Sequence, residues 1–325
     1  MFCYTVYDKG EYIFADKVIN GIVFNNVLCD KKGAVLSGYD HFIGDDEKRR
    51  NEKVIHIDFP YTCGNYCLFY KGTMEKLIVV ADNITWLLNN PGATKREKGK
   101  RYKVIIESLH VVQHRNTRKQ KSKLNGINSL STSCLDNSYC LERIKNNDSV
   151  CSHCYSATQQ KQQLALQDDN IINGIILRNI DIPLWAWKKY FPRDLLSKFF
   201  RIESFGDVQN KIQAINYINF CKAFPRVHFA AWTKNTGIYK FAFDDAGKPE
   251  NLSFVVSSNK VNTPELFHLI NDSRINHVFT VYDKNYIENN NININCGGRA
   301  CLECIKKHAG CYFTDTAPVI NEQLK

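Results

Sequence analysis

From residue 126 onward the sequence alternates short apolar runs with longer helical stretches, and nothing else restricts the fold as much. Strand-like runs at residues 126–132, 199–206, 227–235, 252–259 and 277–284 are rich in Val, Ile and Phe. The stretches SHCYSATQQKQQLALQDDNIINGIILRNI and PLWAWKKYFPRDLLSKF read as helical, with a break at Pro192. DVQNKIQAINYINFCKAF reads as an amphipathic helix, with Asp207 as its N-cap and Val208, Ile212, Ile215 and Ile218 at helical spacing. Strands joined by crossovers of this length predict an α/β fold, a parallel βα barrel or partial barrel with helices outside. In such folds chemistry gathers at the carboxyl ends of the strands. Those ends here carry Cys134 and its neighbours, Gly206–Asp207, Thr233–Lys234–Asn235, Ser257–Ser258–Asn259 and Tyr282–Asp283–Lys284.

Eight of the thirteen cysteines form two groups that bracket these strands. The first is Cys134, Cys140, Cys151 and Cys154; the second is Cys296, Cys301, Cys304 and Cys311. Four soft sulfur ligands within about twenty residues suit a zinc or iron–sulfur site, because a short loop can wrap thiolates around one centre. A disulfide framework is the weaker alternative, since the cysteine count is odd and the N-terminus lacks the basic and apolar regions of a secretory signal. The expected location is cytoplasmic and reducing, with no membrane span, because no apolar run approaches the roughly 20 residues that a membrane helix requires. In the second group, spaced C-x4-C-x2-C-x6-C, Gly297, Gly298 and Gly310 provide tight turns, and the group reads as a closed four-thiolate site of zinc or an auxiliary iron–sulfur cluster.

Residues 1–112 read as a β-rich N-terminal region, with strands expected at 2–7, 21–27, 54–59, 76–81 and 102–109. Cys63 and Cys67 in this region read as structural thiols. A basic connector at 113–125 leads into the barrel-like domain at 126–325. The net charge is +10, and the basic stretch from 95 to 123 concentrates it: residues 95–103 and 114–123 carry eleven Lys or Arg and one acid, Glu97. Such a stretch is either a solvated connector or a surface for nucleic acid, although Tyr102 is its one aromatic residue, too few to interleave it with stacking platforms.

Between residues 116 and 315 the chain resembles the phage "gene product 88" family. The resemblance rests on NTRKQKSKLNGINSLS leading into Cys134, on the step Cys154-Tyr155-Ser156, on RIESFGD at residues 201–207, and on WTKN at residues 232–235. It implies a barrel similar to that of radical S-adenosylmethionine (SAM) enzymes, with a cysteine-bound [4Fe–4S] cluster after the first strand. It also implies Cys134, Cys140 and Cys154 as the ligand set, with Cys151 extra. Gly206 and Asp207, after the second strand, would then meet SAM, the glycine by close backbone approach and the aspartate by accepting from its ammonium group. The spacing C-x5-C-x10-C-x2-C departs from the radical SAM pattern C-x3-C-x2-C, and four bound thiolates would leave no iron open for SAM.

Hydrolase, Walker and Rossmann motifs are absent. Outside the cysteines, Lys234 is the candidate catalytic side chain, placed at a strand end to bind an anion or act as acid or base, with Asp207 beside it. Two functions remain open on the sequence. One is an iron–sulfur protein resembling radical SAM enzymes that modifies nucleic acid or nucleotides. The other is a nucleic-acid-binding or interaction protein of phage or mobile-element type with two structural zinc sites.

Overall fold

The computed structural model describes residues 3–6, 12–19, 22–30, 35–37, 55–58, 65–68, 71–116, 122–297 and 300–324. The chain opens with strands β1 (Cys3–Val6), β2 (Tyr12–Ile19), β3 (Ile22–Asp30), β4 (Val35–Ser37), β5 (Ile55–Asp58) and β6 (Asn65–Leu68). Helices α1 (Lys71–Asn89) and α2 (Lys95–Glu107) follow, then β7 (Val111–Gln113) and β8 (Asn128–Leu130). Next come α3 (Ser138–Lys145), α4 (Tyr155–Gln162), α5 (Leu164–Asn179) and α6 (Leu184–Tyr190). The remainder is β9 (Phe199–Ile202), α7 (Lys211–Ala223), β10 (His228–Thr233), α8 (Thr236–Ala246), β11 (Leu252–Ser257), β12 (His277–Tyr282), α9 (Lys284–Asn290), α10 (Cys301–Lys306) and β13 (Val319–Gln323).

These elements form two compact units, one of residues 1–109 with 158–180 and one of residues 110–157 with 181–325. In the first, β1, β5 and β6 make one antiparallel sheet and β2, β3 and β4 another. The strands expected at 2–7, 21–27 and 54–59 correspond, over their described residues, to β1, β3 and β5. Those expected at 76–81 and 102–109 are corrected: both stretches are helical, in α1 and α2. Their Val and Ile content suggested strands, but the buried residues Leu77, Val80, Ala81, Ile84 and Leu87 recur at helical spacing. Thr94 fixes the start of α2 through a capping box with Glu97. Cys67 lies on β6, whereas Cys63 falls outside the described residues.

The second unit is an α/β fold built on a seven-stranded sheet in the order β13-β12-β11-β10-β9-β8-β7. Strands β8 to β13 are all parallel and adjacent in chain order, and only β7 runs antiparallel, on β8. No pairing joins the two edges among the described strands. Alternation along each strand gives the sheet two apolar faces. On one, Phe200 and Phe229 pack with Phe220 of α7, which also meets Trp187 and Phe191, at ring separations of 4.8–5.6 Å. Each fully buried aromatic of this kind contributes roughly 1.5–3 kcal/mol. On the other face Ile127, Phe199, Ala230, Val255, Phe279 and Ile320 pack against the C-terminal cysteine segment through Cys296, Cys301, Leu302, Cys311 and Tyr312. The expected N-cap at Asp207 is also corrected. Asn210 caps α7, its side chain accepting from Gln213 N at 2.9 Å, and Asp207 serves elsewhere. No helix among the described residues is long and apolar enough to cross a membrane.

Candidate functional site

Strand β8 delivers Ser131, Thr132 and Ser133 into a 3-10 turn at Cys134–Asp136. Asn137 then caps α3, accepting from the backbone N–H of Cys140 at 3.3 Å and so setting that residue in the first turn. A second 3-10 turn, Val150–His153, carries Cys151, whose N–H donates to Ser149 Oγ at 3.1 Å. Cys154 directly precedes α4. Four hydrogen bonds tie this loop to the strand ends: Val150 N and Ser149 Oγ donate to Asn259 O at 2.9 and 3.2 Å, and Tyr155 Oη and Ser156 Oγ donate to Ser204 O at 2.8 and 3.5 Å. His153, between the two cysteines, is exposed.

Cys140 is thereby within electrostatic reach of Cys134, Cys151 and Cys154. The Cys134 thiol donates to the Cys154 sulfur, and that bond, followed by the backbone N–H groups of Ala157 and Ser156 and the charge of Lys234, draws Cys154 down to about 6 against the opposing effect of burial. Cys134 is held well above its usual value by the same bond, by burial and by the nearby Cys154 and Cys140. Burial, then Asp207, Cys151, Cys154 and Glu203, raise Cys140. Cys154, which ionises near neutral pH, and the neighbouring Cys134 and Cys140 offer soft donors of the kind that a thiophilic metal or an iron–sulfur cluster takes. Among the described residues, no three His, Cys, Asp or Glu side chains close on a common point at ligand spacing.

Gly206 and Asp207 reach this rim but are committed to protein partners. A Cβ on Gly206 would lie 2.6 Å from both the carbonyl oxygen and Oγ1 of Thr132 and 2.9 Å from Glu203 Oε2, so the glycine serves close packing of β9 against β8. Asp207 Oδ1 accepts from Thr233 Oγ1 at 2.5 Å and Val208 N at 2.7 Å, and Oδ2 accepts from Lys234 N at 2.8 Å. Its backbone oxygen accepts from Asn137 Nδ2 at 2.8 Å. Burial raises the Asp207 carboxyl against those bonds. These contacts fix both residues at the rim. Lys234 does turn to the site: its Nζ donates to Ser257 Oγ at 3.2 Å, and its charge is felt at both Cys154 and Asp207.

Several residues here went unremarked in the sequence. Glu203 is 3% exposed and accepts from Thr132 N, Thr132 Oγ1, Gln213 Nε2 and Tyr217 Oη at 2.6–2.9 Å. His114 meets Ser129 Oγ at 2.8 Å, and Ser204 links Ser129 to Ser131 at 2.9 Å on each side. A charged residue within the apolar strand FFRI was the one available signal for Arg201, whose guanidinium lies 4.1 Å from the Trp232 ring centroid.

The second cysteine group lies against the sheet face away from α7. Cys296 bridges to Glu322 beside β13, Cys301 and Cys304 sit on α10, and Cys311 follows a turn at Gly310. Gly310 has φ 87°, and a Cβ there would stand 3.3 Å from Cys304 Cβ. Lys123, expected within the connector, instead points inward: its Nζ donates to Cys296 Sγ at 3.3 Å and to Glu322 Oε1 at 2.8 Å. Burial works against that ammonium, but Cys296 and Glu322 together hold it above its usual range. Burial pushes Cys301 up to about 12 and also raises Cys296 and Cys311, while Arg201 acts against the rise at Cys301 and Cys311 and Lys123 against that at Cys296 and Cys301. The two cations supply charge suited to thiolates.

Comparison with known proteins gives one family match: the model described as Gene product 88 covers residues 86–320. Neither the curated proteins nor the solved structures give a match. The matched span contains both cysteine groups, all seven strands of the parallel-rich sheet up to Ile320, and α2. The chain belongs to the Gene product 88 family.

Proposed function

We propose that Cys134, Cys140 and Cys154 hold an iron–sulfur cluster of the [4Fe–4S] type, in a protein resembling radical SAM enzymes. The observation that carries this reading is that Cys134, Cys140 and Cys154, from three separate turns, lie within electrostatic reach of one another at the carboxyl ends of β8–β11, with Lys234 beside Cys154. The unbroken chain order of parallel strands β8–β13 supports the likeness to a partial barrel. When bound, such a cluster supplies a one-electron redox centre. The protein's own groups prepare the place for it. Cys154 offers a thiolate near neutral pH, while Asp207 and Glu203 fasten the rim loops to the strands. Lys234, with Ser257, presents donors to a carboxylate or phosphate of the substrate. Gly206 and Asp207, held in place by Thr132, Thr233 and Lys234, stand at the same rim.

A closed zinc site is the second reading, and Cys151 favours it, since its sulfur is within electrostatic reach of Cys140. Four thiolates on one zinc leave no open position. Single variants separate the two. Cys151→Ala is expected to keep its iron and Cys154→Ala to lose it. Loss of metal in both, with zinc as the metal lost, would establish the closed site instead.

A further inference from the structure

Helix α2 carries six cations and two carboxylates in thirteen residues. One of the carboxylates, Glu97, is consumed by the helix cap, accepting from Thr94 N at 2.9 Å and Thr94 Oγ1 at 2.6 Å. The other, Glu107, faces Lys103 at 3.8 Å, both largely exposed, a pairing worth little in water. Arg96, Lys100 and Lys103 fall at i, i+4 and i+7 and are all exposed, so they form one stripe along the helix. At a rise of 1.5 Å per residue the stripe is about 10 Å long. Its three cations can neutralise about three phosphates of one strand.

The one aromatic residue within this helix, Tyr102, is buried, but the fold supplies another from the neighbouring helix. Trp86 of α1, half-buried, lines a cleft of about 410 Å³ together with Asn83, Glu97, Lys100, Arg101 and Val104. Arg101 lies 4.9 Å from the Trp86 ring centroid and donates from Nη1 to Asn83 Oδ1 at 3.2 Å, which holds the guanidinium against the indole. A row of exposed cations beside an aromatic–guanidinium stack combines the two contacts that single strands require, charge for the backbone and a flat apolar surface for a base. A duplex would use the stripe but keep its bases out of the cleft.

We infer that the α1–α2 surface binds single-stranded nucleic acid, with phosphates along Arg96, Lys100 and Lys103 and one base in the cleft at Trp86. This goes beyond the thiol site and shares no residue with it, so either can fail without the other.

The test is fluorescence anisotropy of a labelled oligothymidylate of about twelve nucleotides with the full chain across a salt series. With about three phosphates engaged, log K is expected to fall against log salt with a slope of about −2. Arg96→Glu with Lys100→Glu should weaken binding at least about tenfold while leaving the iron content unchanged. Trp86→Ala should weaken it about fivefold or more, and Trp86→Phe should restore most of the loss. If Trp86→Ala does not fold, the indole is read directly: oligothymidylate should quench wild-type tryptophan emission more than that of Trp86→Phe. The inference is overturned if the charge reversals leave binding unchanged. Equal quenching in both proteins, or tighter binding of the matching duplex, would also overturn it.

Discussion

Glu203 directly follows β9 with φ 55°, in the left-handed region where a residue with a Cβ is uncommon. Four donors converge on its carboxylate and offset the cost of burying it, although burial still raises its pKa. His114 shows the opposite charge logic. Burial, then the nearby Arg201 charge, push its imidazole down to about 4, so it is neutral in the folded protein at pH 7. An unfolded histidine titrates near 6.5, so between that pH and about 4 the unfolded chain takes up a proton that the folded chain refuses. The stability due to this group is present above pH 6.5 and is lost as the pH falls to about 4. Melting temperature should therefore drop more steeply across that window in the wild type than in His114→Gln. Parallel profiles would mean that His114 is not held neutral by its surroundings. Neither residue was legible in the sequence. The partners of Glu203 lie as far as 71 positions away, and Arg201 stands 87 positions after His114.

At the scale of elements, the alternation after residue 126 was legible because a buried parallel strand leaves a compact apolar run between long crossovers. All five expected strands correspond to members of the sheet, β8 to β12. The helices α1 and α2 were misread because Val and Ile content outweighed spacing, although the buried positions follow a helical period. The cysteine groups were legible as groups, but the direction of Lys123 was not, since its partners Cys296 and Glu322 are 173 and 199 positions distant. Helix α10 and the turn at Gly310 carry three of the four thiols of the second group and cover one face of the sheet. If this group is a structural metal site, its binding free energy is folding free energy. Cys301→Ser and Cys304→Ser are then each expected to lose several kcal/mol, read as a fall of about 10 °C or more in Tm, together with soluble yield. A variant that melts like the wild type with unchanged metal content would contradict a structural role.

For the whole molecule, the two compact units do not follow the chain in simple succession, because residues 158–180 return to the first. Helix α5 in that return buries Ile171, Ile172, Ile175 and Ile176 completely and packs on α1. A chain beginning at Asn116 would lose α1 and expose this apolar face. It is expected to be far less soluble than the full chain, as measured by the soluble fraction after expression. Equal solubility would mean that α5 finds other cover. The account rests most heavily on the first cysteine group, and anaerobic purification with iron, sulfide and zinc analysis of the wild type and Cys154→Ala tests it directly. The account predicts a brown wild-type protein and a loss of about four iron and four sulfide per chain in the variant. A colourless wild-type protein with about two zinc per chain and no sulfide would contradict it.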